Sequence, residues 1–211
     1  MKNGIKYLVA GLVATGLTVS SYAAGPISVN WGAGDVTEFT DVSGTALPVG
    51  DLVLVGTFTV APTDGQSTLA NFVTFGTGHS GDGALPAGYS SDGLTASDAG
   101  FAHTQMYLVV VNATTIGAAT QEGIYTVSDV QNPAWKFPAT TDVPSLTTID
   151  VEDLNSSPGS QAALNPGADI VFGSGIDASG NVRLANLVPE PSTYLLVGTG
   201  LLGLLGLRRR S

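Results

Sequence analysis

The two histidines, His79 and His103, are the side chains of this sequence best suited to acid–base or metal chemistry. Asp82, Asp92 and Asp98 lie near them along the chain, and imidazole combined with carboxylate oxygens would suit zinc or a similar cation. No ligand spacing such as His-Glu-x-x-His is present, however. The sequence therefore predicts exposed or hydrogen-bonded loop histidines and no metal ligands.

Three short Asp-containing stretches resemble pieces of oxygen-ligand calcium loops. They are "GDG" at 81–83, "SDG" at 91–93 and "DASGN" at 177–181. Calcium needs six to eight oxygens, and the EF-hand pattern with its closing glutamate is absent. Asp-Gly pairs are also standard turn residues, which is the interpretation that we favour. The sequence predicts no cofactor, with calcium as the one ligand that it leaves open.

Hydrolase signatures are also incomplete. Glu152 and Asp153 are adjacent, and on a strand adjacent side chains point to opposite faces, so they cannot pair across a glycosidase cleft. Gly173-Ser174-Gly175 lacks the Gly-x-Ser-x-Gly spacing of a nucleophile elbow. We therefore expect no enzymatic activity, and a secreted hydrolase is the least favoured function.

The two tryptophans, Trp31 and Trp135, raise a carbohydrate-binding alternative because aromatic faces stack on sugar rings. Tryptophan is also a common core residue of β-sandwiches, and two in the whole chain favour packing over ligand binding. Packing is the prediction, and the sugar-binding function stays as the alternative.

The elements that must position these residues are short apolar runs separated by turn residues. "DLVLVGTFTV", "NFVTF" and "MYLVVVN" predict strands, and the last, at 106–112, is apolar on both faces. "GIYTV", "ADIVF" and "NVRLANL" add three shorter candidates, and "STLANFV" is the single short helix candidate. The pattern predicts an all-β fold, an antiparallel β-sandwich or jelly roll.

Charged side chains are few in this sequence, and most of them are acidic. Residues 24–188 carry 16 acidic side chains against two basic ones, Lys136 and Arg183. Such a domain repels phosphate backbones, which excludes nucleic acid as a partner. The chain has no cysteine, so disulfides, thiolate metal sites and a cysteine nucleophile are excluded.

The N-terminus has the three parts of a secretory signal peptide. Lys2 and Lys6 precede an apolar stretch from Tyr7 to Val19, and small residues follow in Ser21-Tyr22-Ala23. We predict cleavage by signal peptidase after Ala23, with Ala24 as the next choice. Residues 1–23 are then the signal peptide, and 24–188 form one β-rich extracytoplasmic domain.

The C-terminus carries a second apolar segment, residues 194–207, which contains four glycines and no charge. As a helix it would reach roughly 21 Å, which is short of a ~30 Å hydrocarbon core. Arg208, Arg209 and Arg210 follow and would remain on the cytoplasmic side of the membrane. A short apolar stretch behind a processing site is typical of tails that are removed after export.

The last 24 residues resemble a PEP-CTERM sorting signal. Pro189, Glu190 and Pro191 match its recognition motif, 194–207 its transmembrane helix and Arg208–Arg210 its basic stop. The resemblance implies a Gram-negative source and an exosortase as the enzyme that recognises and processes residues 189–211. It also implies export across the inner membrane, tethering by the C-terminal helix and then a place at the cell surface or outside the cell.

The body has a looser resemblance of its own. "EGIYTVSD" followed by "WKFP" is similar to the cores of other short PEP-CTERM proteins, which also carry a glycine before an aromatic strand and then a tryptophan. This resemblance implies no activity. The sequence thus favours a non-catalytic surface or matrix protein, with a module that contacts extracellular polysaccharide as the alternative.

Overall fold

The computed structural model describes seven segments of the chain, and these segments are built of β-strands. They are residues 26–33, 37–62, 69–82, 85–128, 135–142, 145–154 and 168–187. The described strands are β1 Pro26–Gly32, β2 Phe39–Thr40, β3 Leu52–Phe58, β4 Phe72–His79, β5 Ser91–Ser97, β6 Tyr107–Val111, β7 Gln121–Val127, β8 Leu146–Asp150, β9 Ala168–Phe172, β10 Gly175–Ile176, β11 Val182–Arg183 and β12 Ala185–Asn186. The predicted all-β class is confirmed.

The strands form three sheets. The central sheet has the order β12-β7-β6-β3-β4, with β9 also paired to β7, and all its pairs are antiparallel. The front sheet has the order β5-β1-β8, in which β8 runs parallel to β1. The side sheet has the order β10-β11-β2, with β11 parallel to β2. The fold is therefore antiparallel-rich, with two parallel pairs.

The main core lies between the central sheet, the front sheet and the side sheet. Along β1, Ile27, Val29 and Trp31 alternate with more exposed residues, so one face of this strand packs inward. The side sheet contributes Phe39 and Val182 to the same cluster. Each such buried side chain contributes roughly 1.5–3 kcal/mol of hydrophobic stabilisation.

Strand β6 is buried on both faces, as its continuous apolar run predicts. Leu108 and Val110 belong to the main core, whereas Val109 and Val111 belong to a second apolar cluster on the opposite face of the central sheet. All four side chains are at most 1% exposed. The central sheet therefore packs apolar side chains on both of its faces.

A β-bulge in β4 brings two consecutive residues to the main core. Val55 pairs with Gly76 and Gly56 pairs with Thr74, which leaves Phe75 as the extra residue. Phe75 is buried in the main core, and Gly76 lies against the indole ring of Trp31. A Cβ at Gly76 would overlap that ring, so this position requires the absence of a side chain.

One of the helices predicted from the sequence falls partly on described residues, and the other two do not. In the short candidate "STLANFV", whose first two residues lie outside the described ones, Leu69–Asn71 form a 3-10 turn and β4 then begins. The signal peptide at 1–23 and the apolar segment at 194–207 lie outside the described residues. Within the seven described segments, no helix combines the length and the apolar character needed to cross a membrane.

Candidate functional site

The two histidines lie at separate places, each beside one carboxylate. His79 ends β4, and its ring Nδ1 is 3.4 Å from Asp82 Oδ2. His103 lies in a turn with φ 59°, and its Nε2 is 3.0 Å from Asp142 Oδ2. Both histidine side chains are substantially exposed, as predicted. His103 lies in a turn, whereas His79 is the last residue of β4, so the prediction of a loop position was wrong for His79.

The carboxylates nearest in sequence to the histidines accept hydrogen bonds from other residues of the chain. Asp82 Oδ2 accepts the His79 N–H at 2.6 Å, and Asp92 Oδ1 accepts the Gly93 N–H at 2.7 Å. Asp98 Oδ2 accepts both the N–H and the hydroxyl of Thr140. Among the residues that the structure describes, no group of three or more His, Asp or Glu side chains is close enough to hold a metal ion.

The loop at 177–181 also has the geometry of a turn. Asp177 Oδ1 accepts the N–H groups of Ser179 at 2.8 Å and Asn181 at 3.0 Å. Asn181 in turn donates its Nδ2–H to Glu38 Oε1 at 3.3 Å. Burial raises the pKa of Glu38, and the negative charge of Asp177 raises it further. These oxygens hold the turn between β10 and β11 and join it to Glu38, just before β2, in line with the turn interpretation of "DASGN".

Glu152 and Asp153 do not lie on a strand, so the premise of our argument against a glycosidase pair was wrong. They belong to a 3-10 turn at Val151–Leu154, directly after β8. Asp153 Oδ2 accepts the Trp135 Nε1–H at 2.9 Å and the Asp150 N–H at 3.2 Å. These contacts tie the turn to Trp135 and to the last residue of β8, and they give Asp153 a structural role.

Both tryptophans pack inside the main core. Trp31 is 2% exposed and Trp135 is 1% exposed, so neither ring offers a face to a ligand. The Trp135 backbone is also fixed, because its N–H donates to Val127 O and its carbonyl accepts the Met106 N–H. If this protein binds sugar, the aromatic surface must come from other residues.

A cavity of about 390 Å³ lies at the end of β3. We call it the β3–β6 cavity, because the end of β3, the start of β6 and the loop before β6 line it. Sequence reasoning did not find this site, because its parts are distant in the chain. Its wall includes Thr57, Phe58, Thr59, Thr104, Gln105 and Tyr107.

Two aromatic rings of the cavity hold each other in place. Phe58 and Tyr107 meet edge to face, with ring centroids 5.1 Å apart. Phe58 also contacts Phe72 at 5.0 Å. Partial burial raises the pKa of Tyr107, and the nearby negative charge of Asp169 adds to the effect. The phenol is therefore neutral at physiological pH.

Aromatic contacts and side-chain hydrogen bonds hold the loop that precedes β6 in place. Phe101 packs against Phe75 and Phe137, with centroids 5.1 and 4.9 Å apart. Gln105 Nε2 donates to Thr126 Oγ1 at 2.6 Å and to Trp135 O at 2.9 Å. The cavity wall is thus preformed by the core packing of this loop.

The chain leaves the described domain at the edge of the central sheet. β12 pairs with β7, and the Leu187 N–H then donates to Thr120 O at 2.8 Å. Along the chain, the last described residues of the buried core are Val182 and Leu184. The sorting residues Pro189, Glu190 and Pro191, the apolar segment and Arg208–Arg210 follow immediately and lie outside the described residues.

Comparison with known proteins identifies this C-terminal segment. The family model of the PEP-CTERM protein-sorting motif matches residues 187–210, which begin where β12 has ended. The chain therefore carries a PEP-CTERM sorting motif, which indicates an exported, surface-sorted protein and an exosortase as its processing partner. No curated protein and no solved structure matches the chain.

Proposed function

We propose that this protein is a non-catalytic component of the cell surface or extracellular matrix, and that an exosortase cleaves its tail at the Pro189-Glu190-Pro191 motif. Signal peptidase would first remove residues 1–23 after Ala23. The observation that carries the proposal is the position of the sorting motif, which matches from Leu187 onward. It begins where the last described strand has ended, so cleavage beyond Leu187 removes none of the described core.

The chemistry of the tail supports cleavage over permanent tethering. The apolar segment at 194–207 is short for a membrane span, and its four glycines weaken a helix. Arg208–Arg210 resist translocation and would hold the tail in the membrane until a protease acts. The prolines beside Glu190 disfavour helix there, so an enzyme can bind this residue as extended chain.

Mass spectrometry of the mature protein from its native host tests this proposal. We expect loss of the tail in wild-type cells and an intact C-terminus ending in Arg210-Ser211 in cells without the exosortase. Glu190→Ala should also leave the tail intact. Ser192→Ala, which keeps Pro-Glu-Pro, serves as the matched control. An intact C-terminus in mature wild-type surface material would contradict the proposal.

The non-catalytic part of the proposal rests on how the candidate catalytic groups are used. Asp142 accepts the Ala139 N–H at 2.7 Å as well as bonding His103, and these contacts lower the pKa of Asp142. The Oδ2 atom of Asp153 accepts a hydrogen bond from the Trp135 Nε1–H. Hydrolysis of ester, glycoside or peptide substrates that is lost in His103→Ala or Asp153→Asn protein would overturn this part.

A further inference from the structure

One exposed loop lies directly beside the point where the chain leaves the described domain. Residues 112–120 join β6 to β7, and the Thr120 carbonyl accepts the Leu187 N–H at 2.8 Å. Asn112 closes the base of this loop, because its Oδ1 accepts the N–H groups of Thr120 at 2.9 Å and Gln121 at 2.7 Å. The loop is therefore fixed relative to the exit of the chain.

The tip of this loop is apolar and exposed. Ile116–Ala118 form a 3-10 turn, in which the Ala119 N–H donates to Ile116 O at 3.1 Å. The Ile116 side chain is 43% exposed, and residues 112–120 contain no charged residue although the domain is strongly acidic. A single exposed isoleucine is common on protein surfaces, so its meaning depends on what lies beside it.

A second exposed apolar side chain lies at the same end of the central sheet. Val49 comes shortly before β3 and is 68% exposed. The adjacent Gly50 lies beside the loop, since a Cβ at Gly50 would be 3.8 Å from Thr114 Cγ2. The two loops thus form one uncharged surface with exposed apolar tips, which we call the exit surface and define as residues 48–50 and 112–120.

The length of chain beyond Leu187 keeps the exit surface close to the membrane. The apolar segment at 194–207 begins only seven positions after Leu187. Seven residues of fully extended chain span at most about 25 Å, whereas a folded domain of the length of residues 24–188 is roughly 40 Å across. The tether is therefore shorter than the domain is wide, so an orientation with Leu187 farthest from the bilayer is excluded while the tail is inserted.

We propose that the exit surface docks on the lipid bilayer before the tail is cleaved, with Ile116 and Val49 inserted among the lipid headgroups. Two apolar side chains suffice because the inserted tail already holds the domain at the membrane, which makes docking an intramolecular step. Docking keeps Leu187 at the membrane surface, next to the motif on which the exosortase acts. The proposal rests on the membrane insertion of the tail that precedes cleavage in the proposed function.

The test is fluorescence quenching by a nitroxide on the lipid headgroup. Chain purified from cells without the exosortase, which keeps its tail, is reconstituted into phosphatidylcholine vesicles, whose neutral surface does not repel the acidic domain. The chain has no cysteine, so Val49→Cys, Ile116→Cys and Val60→Cys each provide one site for a dye. Val60 is the matched control, because it is a valine of similar exposure, 63%, beyond the other end of β3. We expect quenching at 49 and at 116 to be at least about threefold that at 60, because docked side chains enter the headgroup region.

A second variant tests whether the two tips dock together. In chain labelled at 49, Ile116→Asp should reduce quenching to the level seen at 60, whereas Ile116→Leu should leave it unchanged, and equal melting temperatures show that the variants fold. Equal quenching at 49, 116 and 60, or quenching at 49 that Ile116→Asp does not change, would overturn the proposal. Quenching that requires added exosortase would also overturn it and make the enzyme the partner. Failure of the cleavage proposal looks different, because the mature protein then keeps its tail while the quenching pattern stays as expected.

Discussion

The outer faces of the front sheet and the central sheet differ in both chemistry and burial. On the front sheet, Asn30, Thr95 and Thr148 are polar and exposed. On the central sheet, Val109 and Ile124 belong to the second apolar cluster and are fully buried. A two-layer sandwich usually exposes both outer faces. Here only the front sheet does so, and the central sheet has a core on each side.

The largest expected effect tests whether the second cluster is a true core. Ile124→Ala should lower the free energy of unfolding by about 2–5 kcal/mol, as deletion of a buried aliphatic side chain does. Thr148→Ala, on the outer face of the front sheet, should change it by less than about 0.5 kcal/mol. Urea unfolding followed by tryptophan fluorescence measures both, because Trp31 and Trp135 report on the main core. Similar small losses for both variants would show that the outer faces do not differ.

The same comparison explains which strands the sequence reveals. β6 is visible as "YLVVV" because a strand between two cores is apolar on both faces. β5, with the sequence "SDGLTAS", has no such signal, and its residues are almost all exposed. It is a strand because it pairs with β1 along seven residues, a tertiary effect that overrides weak local propensity.

The β3–β6 cavity could not be predicted from the sequence for a related reason. Thr57 and Gln105 are far apart in the chain, and they come together because Gly56 pairs with Tyr107. The register between distant strands is fixed by which faces are buried in the folded protein, and a local sequence pattern does not show which distant residues will pair. The sorting signal, in contrast, can be predicted from the sequence, because its three parts follow one another in a single stretch of the chain.

The second prediction concerns the contact between the two sheets. Gly76→Ala should cost about 1–3 kcal/mol, because the new Cβ overlaps the buried ring of Trp31. Gly117→Ala is the matched control, since a Cβ there meets nothing within 4 Å. Thermal unfolding of both variants gives the measurement. If Gly76→Ala were as mild as Gly117→Ala, the front and central sheets would not be packed as closely as described.

The third prediction extends the comparison to polar groups. Polar groups on the front sheet are solvated, whereas Asp51, just before β3, is 6% exposed, and its Oδ2 has no hydrogen-bond partner among the described residues. Burial raises the pKa of Asp51. The folded state therefore binds more protons than the unfolded state between the ordinary and the raised pKa, and stability falls as pH rises through that window.

Asp51→Asn removes this cost. We expect the variant to be more stable than wild type by about 1 kcal/mol near neutral pH, with the advantage disappearing below the ordinary pKa of the carboxyl group. Urea unfolding at about pH 3 and about pH 7 measures the difference. A variant that is less stable near neutral pH would show that the Asp51 carboxylate has a favourable partner.

The smallest expected effect lies on the outer face of the front sheet. Ser28 Oγ and Thr95 Oγ1 are 2.7 Å apart across the β1–β5 pair, in an exposed hydrogen bond. Water can replace either partner, so Ser28→Ala and Thr95→Ala should each cost less than about 0.5 kcal/mol, and a double-mutant cycle should give a coupling of a few tenths of a kcal/mol. Breaking the pair leaves no buried group unsatisfied, in contrast to the central sheet, where removal of Ile124 leaves a cavity. A coupling above about 1 kcal/mol would mean that water does not reach this face. The front sheet would then be covered as the central sheet is, and the difference between the two outer faces would be one of side-chain chemistry alone.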